Sequence, residues 1–553
     1  MAKTRLVFGE WTPDQPGVTG SVTDALNCYP VANGYASLNK VQPYPNADIV
    51  AGETLLNAFS GKFASQNTLF AASATKLYRF DSGNNEYDDI SKAGGYSALA
   101  WDITQFGPKM ILANGINKLQ AYNLAGGTTF GDLSADAPTA KYVTVVRDFV
   151  VAGNVAGAES TVYWCDINNE TNWTASASSQ ADSQVLPDGG DITGVSGGEY
   201  GLIFLERAIY RMTYSGSPFF FQFDAISRAI GCISNGSIAQ LADKTYFLAD
   251  DGFYMCNGQT VTPIGAEKVN RWFFENAAPD LLTTQMSATI DPIRSLIIWI
   301  VPTNSGNKLL IYNAQVNKWS YSNESLESLN YLLTSSATLE SLDKISITPG
   351  QNTQSGTYTQ STTTVTVTLT AHKLQTGAYI YFNATSGGAT DGFYQITVTD
   401  ANTFTFTETI SATITTSNCV ISLPSIDNLT ASLDDRAYAG GTWFLGGVKT
   451  NQIYGFTGGR QDASISSNDI DIGRSLITLA KPIVDGGSAN VSVASRVLLG
   501  DTVNYGNQVA ADAENRASLR SNGNYHRIRV QPTGTGWKTI VGVDIEYATQ
   551  GTR

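Results

Sequence analysis

This sequence predicts an all-β fold: a β-propeller of six or seven blades, interrupted by a small inserted β module and followed by a terminal β domain. Three observations lead there. Short runs of alternating apolar and polar residues, rich in Val, Ile, Thr, Tyr and Phe and broken by Gly, Asn and Asp, recur along almost the whole chain. Helical periodicity is scarce, with only 267–276 and a short stretch at 512–519 offering an apolar face. Finally, a strand-like segment ending in an aromatic returns around Tyr78, Tyr122, Tyr163, Tyr210, Tyr254, Tyr312 and Tyr454. Successive tyrosines lie 44, 41, 47, 44, 58 and 142 residues apart, and the first intervals match a blade period of about 40–50 residues.

Taken in order, residues 1–50 form an N-terminal segment expected to pack on the terminal domain, and 51–345 carry blades. Each blade cannot bury both its faces alone, so stacking around a closed ring is the natural arrangement, with closure able to borrow a terminal strand. The long last interval calls for an insertion, and 346–424 supplies one. Its composition turns to Thr and Ser, with a period-two run at 362–370 and further strands at 379–382, 394–398 and 403–406. Blade-like sequence resumes at 425–460, including Asp434 to Tyr438 and Trp443 to Leu445. Beyond that the repeat is lost, and 461–553 read as a C-terminal β domain with strands near 476–484, 491–499, 526–531 and 540–547.

Composition narrows function. Of 553 residues, 42% are hydrophobic and 15% charged, which suits a folded chain. The balance of 34 Lys and Arg against 48 Asp and Glu leaves a formal charge of −14, which opposes general coating of nucleic acid. No apolar stretch has the length of a signal peptide core or a membrane span, so export by that route and membrane insertion are not expected. Five scattered cysteines without a CxxC pair read as buried, reduced thiols, and two histidines, His372 and His526, leave little general base chemistry. No cofactor or metal is expected, and the chain reads as a non-enzyme.

Individual motifs are weighed against that background. Gly194-Val-Ser196-Gly-Gly198 matches G-x-S-x-G but runs into another strand rather than a helix, so a blade turn is the better reading. Asp469 and Asp471 share one face of a strand, yet two carboxylates fall short of a calcium site and read as solvated edge charges. Arg527 and Arg529 lie on one side of a strand and, with Arg520, are candidates for contact with DNA or an acidic partner, although a solvated or internally paired face is the commoner outcome. In the Thr-rich module Tyr379, Tyr381 and Phe393 could present a surface-recognition face. His372 reads as a strand-end or turn residue.

Three stretches resemble a known family. They are Phe8-Gly-Glu-Trp-Thr-Pro13 with Ala25-Leu-Asn-Cys-Tyr-Pro30 and Tyr35; Asp250-Asp-Gly-Phe-Tyr-Met-Cys-Asn-Gly258 leading to Trp272-Phe-Phe274; and Tyr525-His-Arg-Ile-Arg-Val530, Trp537 and Gly542-Val-Asp-Ile-Glu-Tyr547. In this order they resemble the tail nozzle proteins, also called tail hub or packaged-DNA stabilisation proteins, of short-tailed bacteriophages (podoviruses). The resemblance implies a propeller-bearing subunit of a homohexameric ring in the virion tail, assembled in the host cytoplasm. Its neighbours would be a tail adaptor ring and tail fibres or spikes, and double-stranded DNA would pass through the lumen without sequence-specific binding. Such a ring retains packaged DNA and conducts it during ejection; an acidic wall suits that task, because each phosphate contact would have to be broken in transit. The alternative is a carbohydrate-binding or polysaccharide-degrading propeller of a tail adhesin.

Overall fold

In the computed structural model, residues 2–15, 20–44, 53–64, 66–81, 86–334, 346–425 and 441–550 are described, and nearly all of their regular elements are strands. Four-stranded antiparallel units follow one another at 55–89, 102–132, 140–185, 192–227, 239–263 and 288–322. A seventh combines Ser328–Leu333, Trp443–Lys449 and Gln452–Gly455 with Gln42–Pro43 from the N-terminal segment. The chain thus closes its last unit with a strand from its own beginning.

The seven units form a ring, and every joint carries a hydrogen bond. In order these are Lys62 N–H to Gln105, Val143 N–H to Asp102, the Asn154 amide to the Ile192 carbonyl, and Val195 N–H to Asn235. Then come Trp299 Nε1–H to the Ser237 carbonyl, Leu329 N–H to Ser287, and Leu333 N–H to Ser60 at 2.9 Å, which returns to the first unit. Apolar clusters fill the same joints: Phe70, Leu112 and Tyr122 between the first two units, Leu202, Phe204 and Phe247 between the fourth and fifth, Leu69 and Val448 between the seventh and first. Seven such units, joined in order and closed by the N-terminal strand, accord with the blades of the expected propeller.

All seven tyrosine anchors fall on the third strand of their sheets. The physical reason is visible at three of them. The ring is buried between sheets, and the hydroxyl reaches the adjoining turn: Tyr122 donates to the Gly127 carbonyl, Tyr254 to Asp251 and Tyr312 to Asn317, at 2.7, 2.7 and 3.0 Å. An apolar body with a polar tip meets both demands at once.

The terminal strands Ile470–Asp485, Ser488–Arg496, Ala517–Thr533 and Thr539–Thr549 pair with N-terminal strands, Ala2–Val7 running antiparallel to the last of them from Ala2↔Tyr547 to Val7↔Gly542. Through Val22–Leu26 and the parallel pair Leu26↔Tyr321 this sheet continues into the sixth blade, giving one sheet of 14 strands. Phe8 and Trp11 are buried where the two meet; Trp11 stacks on Tyr321 and abuts Trp272 edge-on. Asp14 accepts from the N–H groups of Arg271 and Trp272, filling the unpaired donors at the start of the helix Asn270–Asn276.

Two expectations need correction. The stretch 512–519 is not helical: Asp512 accepts from the N–H groups of Glu514 and Arg516, Asn515 takes a φ of 60°, and the strand begins at Ala517. Side-chain capture of those donors makes a turn and removes them from any helix. The N-terminal segment also divides, since Gln42–Pro43 belongs to the ring rather than to the terminal sheet. The segment Asp434 to Tyr438 lies outside the described residues.

The insertion leaves the ring between Leu333 and Trp443 and has its own five-stranded sheet, dominated by the pairing of Thr353–Thr368 with Thr403–Ser422. Val365, Val367, Ile380, Phe382, Phe404 and Ile421 form a core separate from that of the ring.

Candidate functional site

The C-terminal arginines sit on the long strand Ala517–Thr533, where alternation puts Arg527 and Arg529 on one side. Arg527 makes a two-pronged bond to Asp469, with Nε to Oδ1 at 3.0 Å and Nη2 to Oδ2 at 2.9 Å. Arg496, only 7% exposed, meets the same carboxylate at 2.5 Å. Burial alone would raise the Asp469 carboxyl, but its bonds to Arg527 and Arg496 hold it below the ordinary carboxylate range. Asp469 is therefore the centre of a half-buried triad and not a solvated edge charge. Asp471, by contrast, is exposed and accepts from the Gly473 N–H.

Arg529 donates to Ser466 and lies 3.7 Å from the centre of the Tyr505 ring. Its charge also counters Asp24, whose carboxyl is raised by burial despite a bond from Tyr321. Of the three candidate contact residues, Arg520 alone is exposed, and it stands apart from the triad.

In the inserted module Tyr381 and Phe393 form an edge-to-face pair with centroids 5.0 Å apart on neighbouring strands, and Phe393 is the more exposed. Tyr379 lies two residues before Tyr381 on the same strand, hence on the same side and likewise half-buried, and its hydroxyl pKa is raised by burial and then by the charges of Glu86 and Asp81.

The ring encloses an axial channel of about 480 Å³, lined by residues of all seven units. Among the described residues Asp102 is its only carboxylate, and no Lys, Arg or His lines it. Asp102 accepts from the Val143 N–H at 2.7 Å and from the Asn235 amide at 3.1 Å. Asn235 in turn accepts from the Val195 N–H, so this clasp links the second, third, fourth and fifth blades across the channel. Desolvation pushes the Asp102 carboxyl up to about 6, against the lowering effect of those bonds. Elsewhere in the wall Ser196, the serine of the G-x-S-x-G match, donates to Gln240 at 3.1 Å. It lies within the strand Ile192–Ser196, and the missing Cβ of Gly197 makes room for the Val145 carbonyl. Tyr331 and Trp443 stack with rings 5.2 Å apart and nearly parallel.

Both histidines are held internally. His372 Nδ1 accepts from the Leu374 N–H, which leaves Nε2 to donate to the Asp400 carbonyl. His526 is fully buried between Ser475 at 3.0 Å and Ser495 at 2.6 Å, and burial lowers its pKa despite a bond to the Gly523 carbonyl. All five cysteines are free and buried, and burial pushes thiols such as Cys165 and Cys232 up to about 12 and 11.

Sequence reading missed Arg496, Asp102 and Asn235. Arg496 could have been suspected as a charge ending an apolar strand; the channel residues carry no local signal, because they come from distant units, Asp102 from the start of a strand and Asn235 from the short 3-10 turn Asn235–Ser237.

A family model described as surface adhesin CshA non-repetitive domain 2 matches residues 392–552. The match begins inside the inserted module and ends past the last terminal strand, so it crosses two separate cores. No curated protein matches. Among solved structures, BamB from Moraxella catarrhalis aligns at 13% identity over 60% of this chain and 94% of that one, with a TM-score of 0.32. The computationally designed Ika8 protein aligns at 9% identity over 60% and 96%, with a TM-score of 0.31. A chain of the mitotic checkpoint complex aligns at 10% identity over 55% and 90%, with a TM-score of 0.34. Likeness of this degree leaves the fold to be described by its own strand pairings, and the chain is similar to an adhesin domain only over 392–552.

Proposed function

We propose that this chain is a structural, non-enzymatic subunit of the tail nozzle of a short-tailed bacteriophage. Copies of it form a homohexameric ring in the virion tail, between the adaptor ring and the fibres or spikes, which retains packaged DNA and conducts it during ejection. The observation that carries this reading is the disposition of charge. In a chain of net charge −14, Arg527 and Arg529, the residues best placed to grip a phosphate backbone, are turned to Asp469, Asp24 and Tyr505. A surface so arranged can surround a duplex without holding it.

Two features support it further. The axial channel of about 480 Å³ has the volume of a small-molecule site, so in this reading the conduit for the duplex is built between copies. The three stretches that resemble the nozzle family meet at one joint, where Tyr35 donates to the Gly9 carbonyl, Lys268 pairs with Glu10, and Val7 lies opposite Gly542. For association, Val497, Leu498 and Leu499 are each more than half exposed on a loop held by Arg496 and Asp501, an apolar knob of the kind that assembly buries.

Electron microscopy of the purified chain or of virions tests the reading: rings with an axial hole support it, and a chain that stays monomeric within the virion overturns it. The adhesin match over 392–552 favours a second reading, a carbohydrate-binding or polysaccharide-degrading propeller of a tail adhesin. Binding on a glycan array, or release of reducing sugar from host polysaccharide, would select it.

A further inference from the structure

We propose that the axial channel of the propeller is a binding site for a small organic cation, a primary ammonium or diamine, held by Asp102 and the Tyr331–Trp443 aromatic pair. The assignment goes beyond the conduit reading and does not depend on it, since the channel belongs to a single copy of the chain.

The wall of the channel argues for charge rather than for a neutral ligand. Its about 480 Å³ falls within the usual range of small-molecule sites, about 300–1,000 Å³. Asp102 brings one negative charge into this space, and every donor it meets is neutral: the Val143 N–H, the Asn235 amide and the adjoining Ile103 N–H. A carboxylate offers about four acceptor sites, so capacity remains. The titratable group that senses the Asp102 charge is the Tyr142 phenol, on the neighbouring inner strand, and it supplies no cation; Tyr331, in the wall, senses instead Asp291 and Arg294, which pair with each other at 3.4 Å and do not line the channel. A partly buried carboxylate bonded only to neutral donors is unfavourable, and it accepts an ammonium group more readily than a hydroxyl. The stacked Tyr331 and Trp443 add an aromatic surface in the same cavity, and Trp443 is 44% exposed, so it lies where a ligand can enter. Aromatic faces attract organic cations, Trp most strongly. Ser196, Gln240, Asn57 and Asn330 furnish neutral polar groups along the wall for the remainder of the ligand.

Calorimetric titration of the full chain with diaminobutane, and with butanediol as its neutral counterpart, tests the assignment. Saturable binding of the diamine but not of the diol is expected. D102N should weaken it at least about tenfold, and moving wild type from about pH 8 to about pH 5 should do the same, since protonation of Asp102 removes the charge. W443A, at a partly exposed position, should weaken binding while leaving the fold intact, and so serves if D102N is unstable. Equal affinity for diol and diamine, an unchanged affinity in a folded D102N or W443A variant, or no saturable binding of the diamine by wild type would each overturn the proposal.

Discussion

Asp469 sits between two guanidinium groups, one of them almost wholly buried, and its removal would leave Arg496 without compensation. D469A should therefore cost about 3 kcal/mol in denaturant unfolding, well beyond the usual effect of a surface charge. Because the folded carboxyl is held below its ordinary range, the stability it contributes is full above the unfolded value of about 4 and is lost as pH falls through the folded one. His526 and Asp102 act in opposite senses in mild acid. The histidine is lowered by burial, so its neutral form stabilises the fold above about pH 6.5 and that contribution is lost as pH falls toward the folded value. Asp102 is raised to about 6, so its contribution is present below about 4 and is lost as pH rises through 6. D102N should consequently steepen the decline of melting temperature from neutral to mildly acidic pH, because one of the raised carboxyls that oppose the histidine is gone while Asp24 remains; a flatter profile would contradict these assignments. None of these three environments is written locally, for the hydrogen bonds Arg527–Asp469, Ser495–His526 and Val143–Asp102 join residues 58, 31 and 41 positions apart.

At the scale of elements, the blade anchors were legible because they recur on each third strand, and at Tyr122, Tyr254 and Tyr312 a buried ring with its hydroxyl bonded to the adjoining turn explains the residue type. The inserted module was legible for a different reason: its Thr alternation has the strand period, and its length breaks the blade interval. Its core is separate, so replacing 346–425 by a short Gly/Ser linker should leave the unfolding transition of the ring within a few degrees and remove only the module's own transition, as read by calorimetry. A collapse of both transitions would mean that the ring depends on the contact near Tyr379, Asp81 and Glu86. The stretch 512–519 was misread because alternating apolar residues in a short segment suit either period, and side-chain bonds from Asp512 decided for a turn.

For the whole molecule, the charge distribution predicts weak contact with nucleic acid. Filter binding or anisotropy with duplex DNA at about physiological salt should give no complex tighter than the non-specific range of about 10⁻⁴ M, and R520A should change that little. D469N, by releasing Arg527 from a full charge, should raise duplex affinity measurably; if it does not, the internal pairing is not what keeps the duplex unheld. The sequence by itself determined the all-β class, the blade interval, the insertion and the acidic surface, since strand period, repeat length and net charge are properties of residue order and composition. The tertiary structure alone decided that the ring has seven units, that Gln42–Pro43 closes the last one, that the terminal sheet runs into the sixth blade, and that Asp102 lines a channel shared by all seven units. Those outcomes depend on which distant strands pair, and pairing is settled by the burial of shared faces between segments that no short window of sequence contains.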